Sequence, residues 1–286
     1  GILDWSVTGV QTCALPIYAV GYEDHPFDAL VFEYEPSMTA ARLRVLFNDL
    51  KEGVLPLLKR IVANDRPLQK NLWAHEYPIE KQRAFGLEIA QRFGYDISRG
   101  RLDIAPHPFE ISFTRQDVRI TTRYDLHYLP MALFGTLHET GHALYEQNID
   151  PSLTRSALTT DFLGQYAVGG TSYGAHEFSS RLWENQIGRS RAFWECHLPR
   201  LKEIFPEQLH NVDADLFYRA VNRVQPSLIR VEADEVTYNL HIMLRVEIEM
   251  GMLDGSIRVT DLPEVWRAKM HRSEERRVGK ECRSRW

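Results

Sequence analysis

The spacing of apolar residues along most of the chain is helical. From Thr39, a predicted N-cap, apolar residues recur every three or four positions up to Asn64, and Pro56 predicts a kink or a break within that stretch. The same period returns in residues 78–94, which open on proline and close on Gly94, as helices commonly do. The pattern therefore predicts two helices early in the chain.

The pattern changes to alternation in the next stretch, LDIAPHPFEISFTRQDVRITTRYD at residues 102–125. Its β-branched and aromatic residues predict two or three short strands. Helical spacing then resumes, and we expect helices at about 126–148, 174–205, 213–224 and 229–251. The predicted fold class is mainly α, with a small β-sheet just before the helix at 126–148.

Both ends of the chain differ in character from the sequence between them. The segments VTGVQTCALPI (7–17) and RSEERRVGKEC (272–282) match translated reading frames of a sequencing-library adapter. We therefore expect residues 1–17 and 272–286 to be non-native, and we exclude them from fold reasoning. We then expect the native sequence to run from about residue 18 to about residue 271.

Composition and charge limit the classes of partner. The formal net charge is −5, and the last segment holds six basic and three acidic residues, which leaves −8 for the remainder. An acidic body gives no reason to expect nucleic acid or an anionic membrane as partner, and no apolar run is long enough to cross a bilayer. Cys196 is the only cysteine outside the excluded ends, which fits a cytoplasmic location.

One short motif, HETGH at residues 138–142, carries recognisable chemistry. His138 and His142 lie four apart, so both imidazoles project from one face of a helix and can reach one ion. Glu139 borders the same ion, and zinc hydrolases use a nearby carboxylate to take the proton of the attacking water. The motif predicts a metal-dependent hydrolase, with a chance pattern on a buried helix as the alternative.

A zinc site needs at least one more protein ligand, and His176 and Glu177 form a candidate pair. Glu177 follows His142 by 35 residues, a gap that leaves room for a loop and a returning helix. Spacing alone leaves three rivals open, namely Glu146, Asp150 and Asp161. In zinc peptidases an edge strand beside the metal helix can hold an extended peptide by main-chain pairing, and VRITTRY (118–124) is the candidate strand.

Further motifs stand in order around HETGH: HPF at 107–109, DVRIT at 117–121, HEFSS at 176–180 and IRVEAD at 229–234. With them, residues 18–271 resemble the carboxypeptidase Taq (thermostable carboxypeptidase) family of HExxH metallocarboxypeptidases. The resemblance implies a zincin-like helical peptidase fold with the small sheet beside the HExxH helix. It also implies cleavage of C-terminal residues from peptide substrates, Zn²⁺ (or Co²⁺ or Mn²⁺) as cofactor, and a homodimer. Because family members are about twice as long, we expect an internal fragment of the catalytic domain.

The resemblance also implies roles for individual residues. It gives His138, His142 and Glu177 as metal ligands and Glu139 as the general base. His176 becomes a candidate donor to the oxyanion. Phe178 and Ser179 depart from the family's usual residues after His-Glu, which affects the surroundings of the ligands more than the ligands themselves.

Recognition of a substrate's C-terminal carboxylate favours a planar, bidentate cation. Arg230 and Arg119 are the candidates, although either arginine can instead form an ion pair with a neighbouring carboxylate. His107 is expected to line the substrate pocket. Asp117 and Asp234 are expected to orient the metal ligands by hydrogen bonds, as metal centres commonly require. The alternatives to a carboxypeptidase are a zinc aminopeptidase or endopeptidase, and a fragment that binds metal without turnover.

Overall fold

The computed structural model describes residues 17–32, 34–65, 68, 71–156, 159, 172–225, 229–230 and 233–275. The chain divides into two compact units: Pro67–Arg223 forms one, and Gly1–Arg66 with Val224–Trp286 forms the other. No helix in the described part is long and apolar enough to cross a membrane. The elements in chain order are α1 (Pro26–Phe32), α2 (Ala40–Ala63), α3 (Ile79–Phe93), β1 (Gly100–Ile104), β2 (Glu110–Thr114), β3 (Asp117–Thr122), α4 (Leu129–Gln147), α5 (Tyr173–Arg181), α6 (Arg191–Ile204), α7 (Pro206–Leu209), α8 (Ala214–Val221), α9 (Glu235–Leu253) and α10 (Leu262–Glu275).

The first two predicted helices form with the expected ends. Thr39 caps α2, because its side chain accepts a hydrogen bond from the backbone N–H of Arg42. The helix then passes through Pro56 without the predicted break. At the end of α3, Gly94 has a φ of 109°, in the left-handed region where glycine has no Cβ to clash.

The strands form one sheet with the order β1-β3-β2 in the described part of the chain. β3 pairs in parallel with β1 and antiparallel with β2. The prediction that VRITTRY forms an edge strand is therefore wrong. Val118, Ile120 and Thr122 are fully buried, as a central strand requires, and the edges of the sheet are β1 and β2.

Helix α4 carries the HETGH motif through the interior of the Pro67–Arg223 unit. It packs against α3, α5 and the sheet, so it is buried on most of its faces. Leu137 is fully buried and belongs to the same apolar cluster as Phe85 and Trp194. The motif is therefore held by a helix that has little freedom to shift.

The predicted single helix over 174–205 is wrong in its middle. α5 continues into a π-helical turn, Leu182–Ile187, and the helical path then ends before α6 begins. Ser190 caps α6 by accepting from the backbone N–H of Phe193.

The second unit is helical in its described part. Leu58 of α2 packs with Leu240 and Met243 of α9, while Ile248 of α9 packs with Met270 of α10. α9 begins at Glu235, six residues after the predicted start.

Candidate metal centre

His138 and His142 project from the same face of α4, as their four-residue spacing predicts. Their Nε2 atoms lie 3.2 Å apart, and each ring directs its Nδ1 atom towards a different neighbour. One turn of helix therefore presents two imidazole nitrogens to a common point.

Glu177 reaches the same point because α5 approaches α4 very closely at Gly141. A Cβ atom at Gly141 would lie 2.5 Å from the Cα of Ser180, so a larger residue would force the two helices apart. Ser179 strengthens this approach by donating a hydrogen bond from Oγ to the carbonyl oxygen of Gly141, over 2.7 Å. The Ser179 departure from the family pattern thus has a local structural role, while Phe178 is exposed to solvent.

The three candidate ligand atoms have the spacing that a tetrahedral ion requires. The Glu177 Oε2 atom lies 3.3 Å from His142 Nε2 and 3.7 Å from His138 Nε2. Zinc bonds of about 2.0–2.1 Å at tetrahedral angles set ligand atoms roughly 3.3–3.4 Å apart. The donor set of two imidazoles and one carboxylate, common in catalytic zinc sites, therefore fits a divalent ion.

The electrostatics of Glu177 favour its ionised form. Burial alone would raise its pKa, but the hydrogen bond with His142 and the nearby charges of His138, His142 and Arg181 lower the pKa to about 2. Burial lowers the pKa of His142 below its usual value, which favours the neutral imidazole that a metal requires. Both groups thus favour the protonation states of metal ligands.

The second nitrogen of His138 lies next to Glu184, a residue that the sequence analysis did not single out. His138 Nδ1 donates to Glu184 Oε2 over 2.8 Å, and Arg181 and Arg189 lie beside the same carboxylate. Burial acts to raise the pKa of Glu184, yet the hydrogen bond with His138 and the two arginines lower it. An ionised Glu184 therefore accepts the Nδ1 proton of His138.

The second nitrogen of His142 meets His176. The two Nδ1 atoms are 2.6 Å apart, and Nε2 of His176 lies 3.0 Å from Oε1 of Glu146, which is 1% exposed. If His142 faces a metal through Nε2, its Nδ1 carries the proton and donates to His176. His176 is then protonated on Nε2 and donates to Glu146, so both nitrogens of His176 are engaged.

Glu139 lies beside the ligands and is buried. Burial raises its pKa to about 7, although the charge of His138 opposes this rise, while the negative charges of Glu177 and Glu184 add to it. Its carboxylate accepts a hydrogen bond from the backbone N–H of Glu110, the first residue of β2. A carboxylate with a pKa near 7 has the proton affinity that a general base needs at neutral pH.

The remaining predicted residues fall elsewhere. Arg119 binds Asp117 through two hydrogen bonds, of 2.8 and 2.7 Å, and its guanidinium lies over the ring of Phe113. Asp117 therefore pairs with Arg119, and neither residue joins the cluster around HETGH. His107 is exposed, on the segment that leads into β2.

Arg230 and Asp234 belong to the other unit. Arg230 donates to the hydroxyl of Tyr238, and Asp234 caps α9 by accepting from the backbone N–H groups of Val236 and Thr237. Two of the rival ligands also have structural partners: Glu146 accepts from His176, and Asp150 accepts from the backbone N–H of Ser152. The third rival, Asp161, lies outside the described residues.

A helix that presents two histidines and an adjacent buried glutamate, joined by a glutamate from a second helix, is an arrangement typical of HExxH metallopeptidases. Residues 10–276 match the family described as Carboxypeptidase Taq (M32) metallopeptidase, and the chain belongs to that family. The expected native boundaries at residues 18 and 271 stay a prediction.

Two curated relatives show how much of such a protein the chain represents. It is 47% identical over 243 residues to Thermostable carboxypeptidase 1 of Thermus thermophilus, a match that covers 85% of this chain and 46% of that protein. It is 43% identical over 249 residues to Carboxypeptidase 1 of Bacillus subtilis, covering 87% of this chain and 48% of the relative. The chain therefore spans about half the length of these relatives.

The fold agrees with this assignment. The crystal structure of the M32 carboxypeptidase from Deinococcus radiodurans R1 superimposes with a TM-score of 0.82 at 40% sequence identity. The superposition covers 92% of this chain and 52% of that structure. The mainly helical fold with a small sheet beside the HExxH helix is thus confirmed.

Proposed function

We propose that this chain provides the metal centre of a zinc-dependent carboxypeptidase that removes C-terminal residues from peptides. The observation that carries the proposal is the convergence of His138, His142 and Glu177 on one point, with Glu139 beside them. The names of the curated relatives support the same activity. Two imidazoles and a carboxylate favour Zn²⁺, and Co²⁺ or Mn²⁺ can take the same ligands.

His138, His142 and Glu177 would hold a divalent ion, which would supply Lewis acidity towards a peptide carbonyl and a water molecule. Glu139 acts as the general base and then as the general acid: its carboxylate takes a proton from the attacking water and passes it to the leaving amine. The backbone N–H of Glu110 keeps that carboxylate oriented. We assign His176 a positioning role in place of the expected oxyanion contact, because its two nitrogens are engaged by His142 and Glu146.

For the substrate's C-terminal carboxylate, we propose Arg230 as the principal cation. Arg119 is the weaker candidate because its guanidinium already makes two hydrogen bonds to Asp117. Arg230→Ala is expected to raise KM for peptides with a free C-terminus, while Arg119→Ala leaves KM nearly unchanged. His107, exposed ahead of β2, is proposed to line the substrate pocket.

The test combines bound metal with product release. We expect about one zinc per chain, and release of the last residue from a peptide that is blocked at its N-terminus. Glu139→Gln should keep the zinc and lose at least about 100-fold in turnover, whereas His138→Ala should lose both. Cleavage of a peptide whose C-terminus is amidated would instead indicate an endopeptidase or an aminopeptidase, and zinc binding without any cleavage would leave a metal-binding chain that lacks turnover.

We further propose peptides as the substrates, a cytoplasmic location and a homodimer for the enzyme to which this chain corresponds. The single cysteine of residues 18–271 supports the location. The mass of the protein in solution tests the homodimer, and cell fractionation tests the location.

A further inference from the structure

Glu184 occupies an unusual backbone position. It stands in the π-helical turn Leu182–Ile187, which follows α5 directly and so continues the helix that carries Glu177. Single π turns within helices are rare and recur at functional sites. Here the turn directs the Glu184 carboxylate towards His138 on α4, where its side chain is only 14% exposed.

The carboxylate is held from several sides. Arg181 donates from Nη1 to Glu184 Oε2 over 3.2 Å, and Nη2 of Arg189 lies 3.5 Å from Oε1. Arg189 is itself fixed, because it lies 3.8 Å from the ring centroid of Phe134 and donates to the carbonyl oxygen of Val221. A carboxylate held in this way has little freedom to turn away from His138.

This arrangement determines which nitrogen of His138 is free. An ionised carboxylate only accepts hydrogen bonds, so the 2.8 Å contact requires the proton on Nδ1 of His138. In the neutral imidazole that a metal binds, the lone pair then lies on Nε2, the atom that faces His142 and Glu177. Arg181 also donates to Glu177 Oε1 over 3.1 Å. Its guanidinium therefore contacts both the candidate ligand Glu177 and the carboxylate of Glu184.

We propose that Glu184 is a positioning residue that fixes the tautomer and ring orientation of His138 for metal binding, with Arg181 and Arg189 holding its carboxylate. The inference rests on the proposed metal centre. Removing Glu184 frees the imidazole to rotate and lets its proton move to Nε2, and both changes oppose metal binding.

The test is zinc affinity, measured by competition with a chromophoric chelator at constant pH. Glu184→Gln keeps the size of the side chain and removes its charge, and we expect its zinc Kd to rise about 10- to 100-fold. The matched control is Glu88→Gln, because the carboxylate of Glu88 also bridges two arginines, Arg92 and Arg200, on the surface. Its zinc Kd should equal that of the unsubstituted chain.

Three further measurements separate positioning from folding. Metal-free Glu184→Gln should melt at a lower temperature because Arg181 and Arg189 lose their ionised partner, so its zinc affinity is measured well below that midpoint. Arg189→Gln, which also breaks the ion-pair cluster but leaves Glu184 in place, should weaken zinc binding by less than about tenfold. Nitrogen NMR of the zinc-loaded chain should show His138 protonated on Nδ1. Unchanged zinc affinity in Glu184→Gln would overturn this inference while leaving the proposed function intact, and an unsubstituted chain that binds no zinc would overturn both.

Discussion

His142 and His176 face each other through their Nδ1 atoms at 2.6 Å, with their rings nearly parallel at an interplanar angle of 21°. Only one of the two nitrogens can carry the proton in this contact. If it is His142, its Nε2 is left free to face Glu177, and the proton on Nε2 of His176 is directed to Glu146. The pair thus links a candidate ligand to a buried carboxylate 30 residues before His176 in the chain.

His176→Ala should weaken zinc binding without unfolding the chain. The substitution removes the acceptor for the Nδ1 proton of His142, so we expect the zinc Kd to rise about tenfold or more. Chelator competition measures the effect, and His210→Ala, which truncates an exposed histidine, serves as the control. A zinc Kd that does not change would mean that the contact with His176 does not orient His142.

Gly141→Ala should separate α4 from α5. The new methyl group would lie 2.5 Å from the Cα of Ser180. Because the methyl carbon and this Cα are both fixed by the helix backbones and cannot rotate away, the helices must move apart. We expect a loss of about 1–3 kcal/mol in the free energy of unfolding, together with weaker zinc binding because Glu177 moves with α5.

Gly53→Ala is the matched control, because Gly53 lies within α2 and a Cβ there meets nothing within 4 Å. This substitution should stabilise the chain by roughly 0.5–1 kcal/mol, as expected for alanine in a helix. Equal denaturation curves for the two variants would contradict the close approach of α4 and α5.

The sequence pattern alone was sufficient to predict part of the candidate metal centre. The helical period and the four-residue spacing place His138, Glu139 and His142 on one helix, and the structure has that geometry. Residue spacing alone did not identify Glu177 as the third ligand among its rivals. That identification depends on how closely α5 approaches Gly141. That approach is a contact between distant segments, which periodicity does not contain.

Two features could not be read from the pattern for related reasons. The position of β3 in the centre of the sheet depends on pairing with strands on both sides, while alternation predicts only that a strand exists. Glu184 was missed because it lies in a π-helical turn, where the 3.6-residue period no longer gives the facing direction. The sequence pattern predicted that residues 183–190 are helical. It did not predict that Glu184 contacts His138.

Asp234 should act as a helix cap, and two substitutions distinguish this from a role that needs its charge. Asp234→Ala removes the acceptor for the N–H groups of Val236 and Thr237, so we expect a loss of about 1 kcal/mol in the free energy of unfolding. Asp234→Asn retains a capping oxygen and should lose little stability. Urea denaturation measures both variants, and loss of zinc binding in Asp234→Asn at unchanged stability would instead favour the role expected from the sequence.

Glu110 should make the stability of the metal-free chain fall as the pH rises. Burial, together with the negative charges of Glu146 and Glu139, raises its pKa from 4.5 to about 9. Between these two values the folded chain retains a proton that the unfolded chain has lost. The free energy of unfolding therefore decreases across this window, by up to about 1.4 kcal/mol per pH unit from this group.

Glu110→Gln removes the titrating group and resembles its protonated form, so the decrease due to Glu110 should vanish. Relative to the original chain, the variant should be more stable at about pH 8, with the difference shrinking towards about pH 5. Urea denaturation at several pH values measures this, and Glu203→Gln on the exposed face of α6 should follow the original chain throughout. Parallel pH profiles for Glu110→Gln and the original chain would contradict this prediction, because they would show that Glu110 is ionised in the folded state. Its carboxylate would then need a cationic partner close to Glu139 and Glu146.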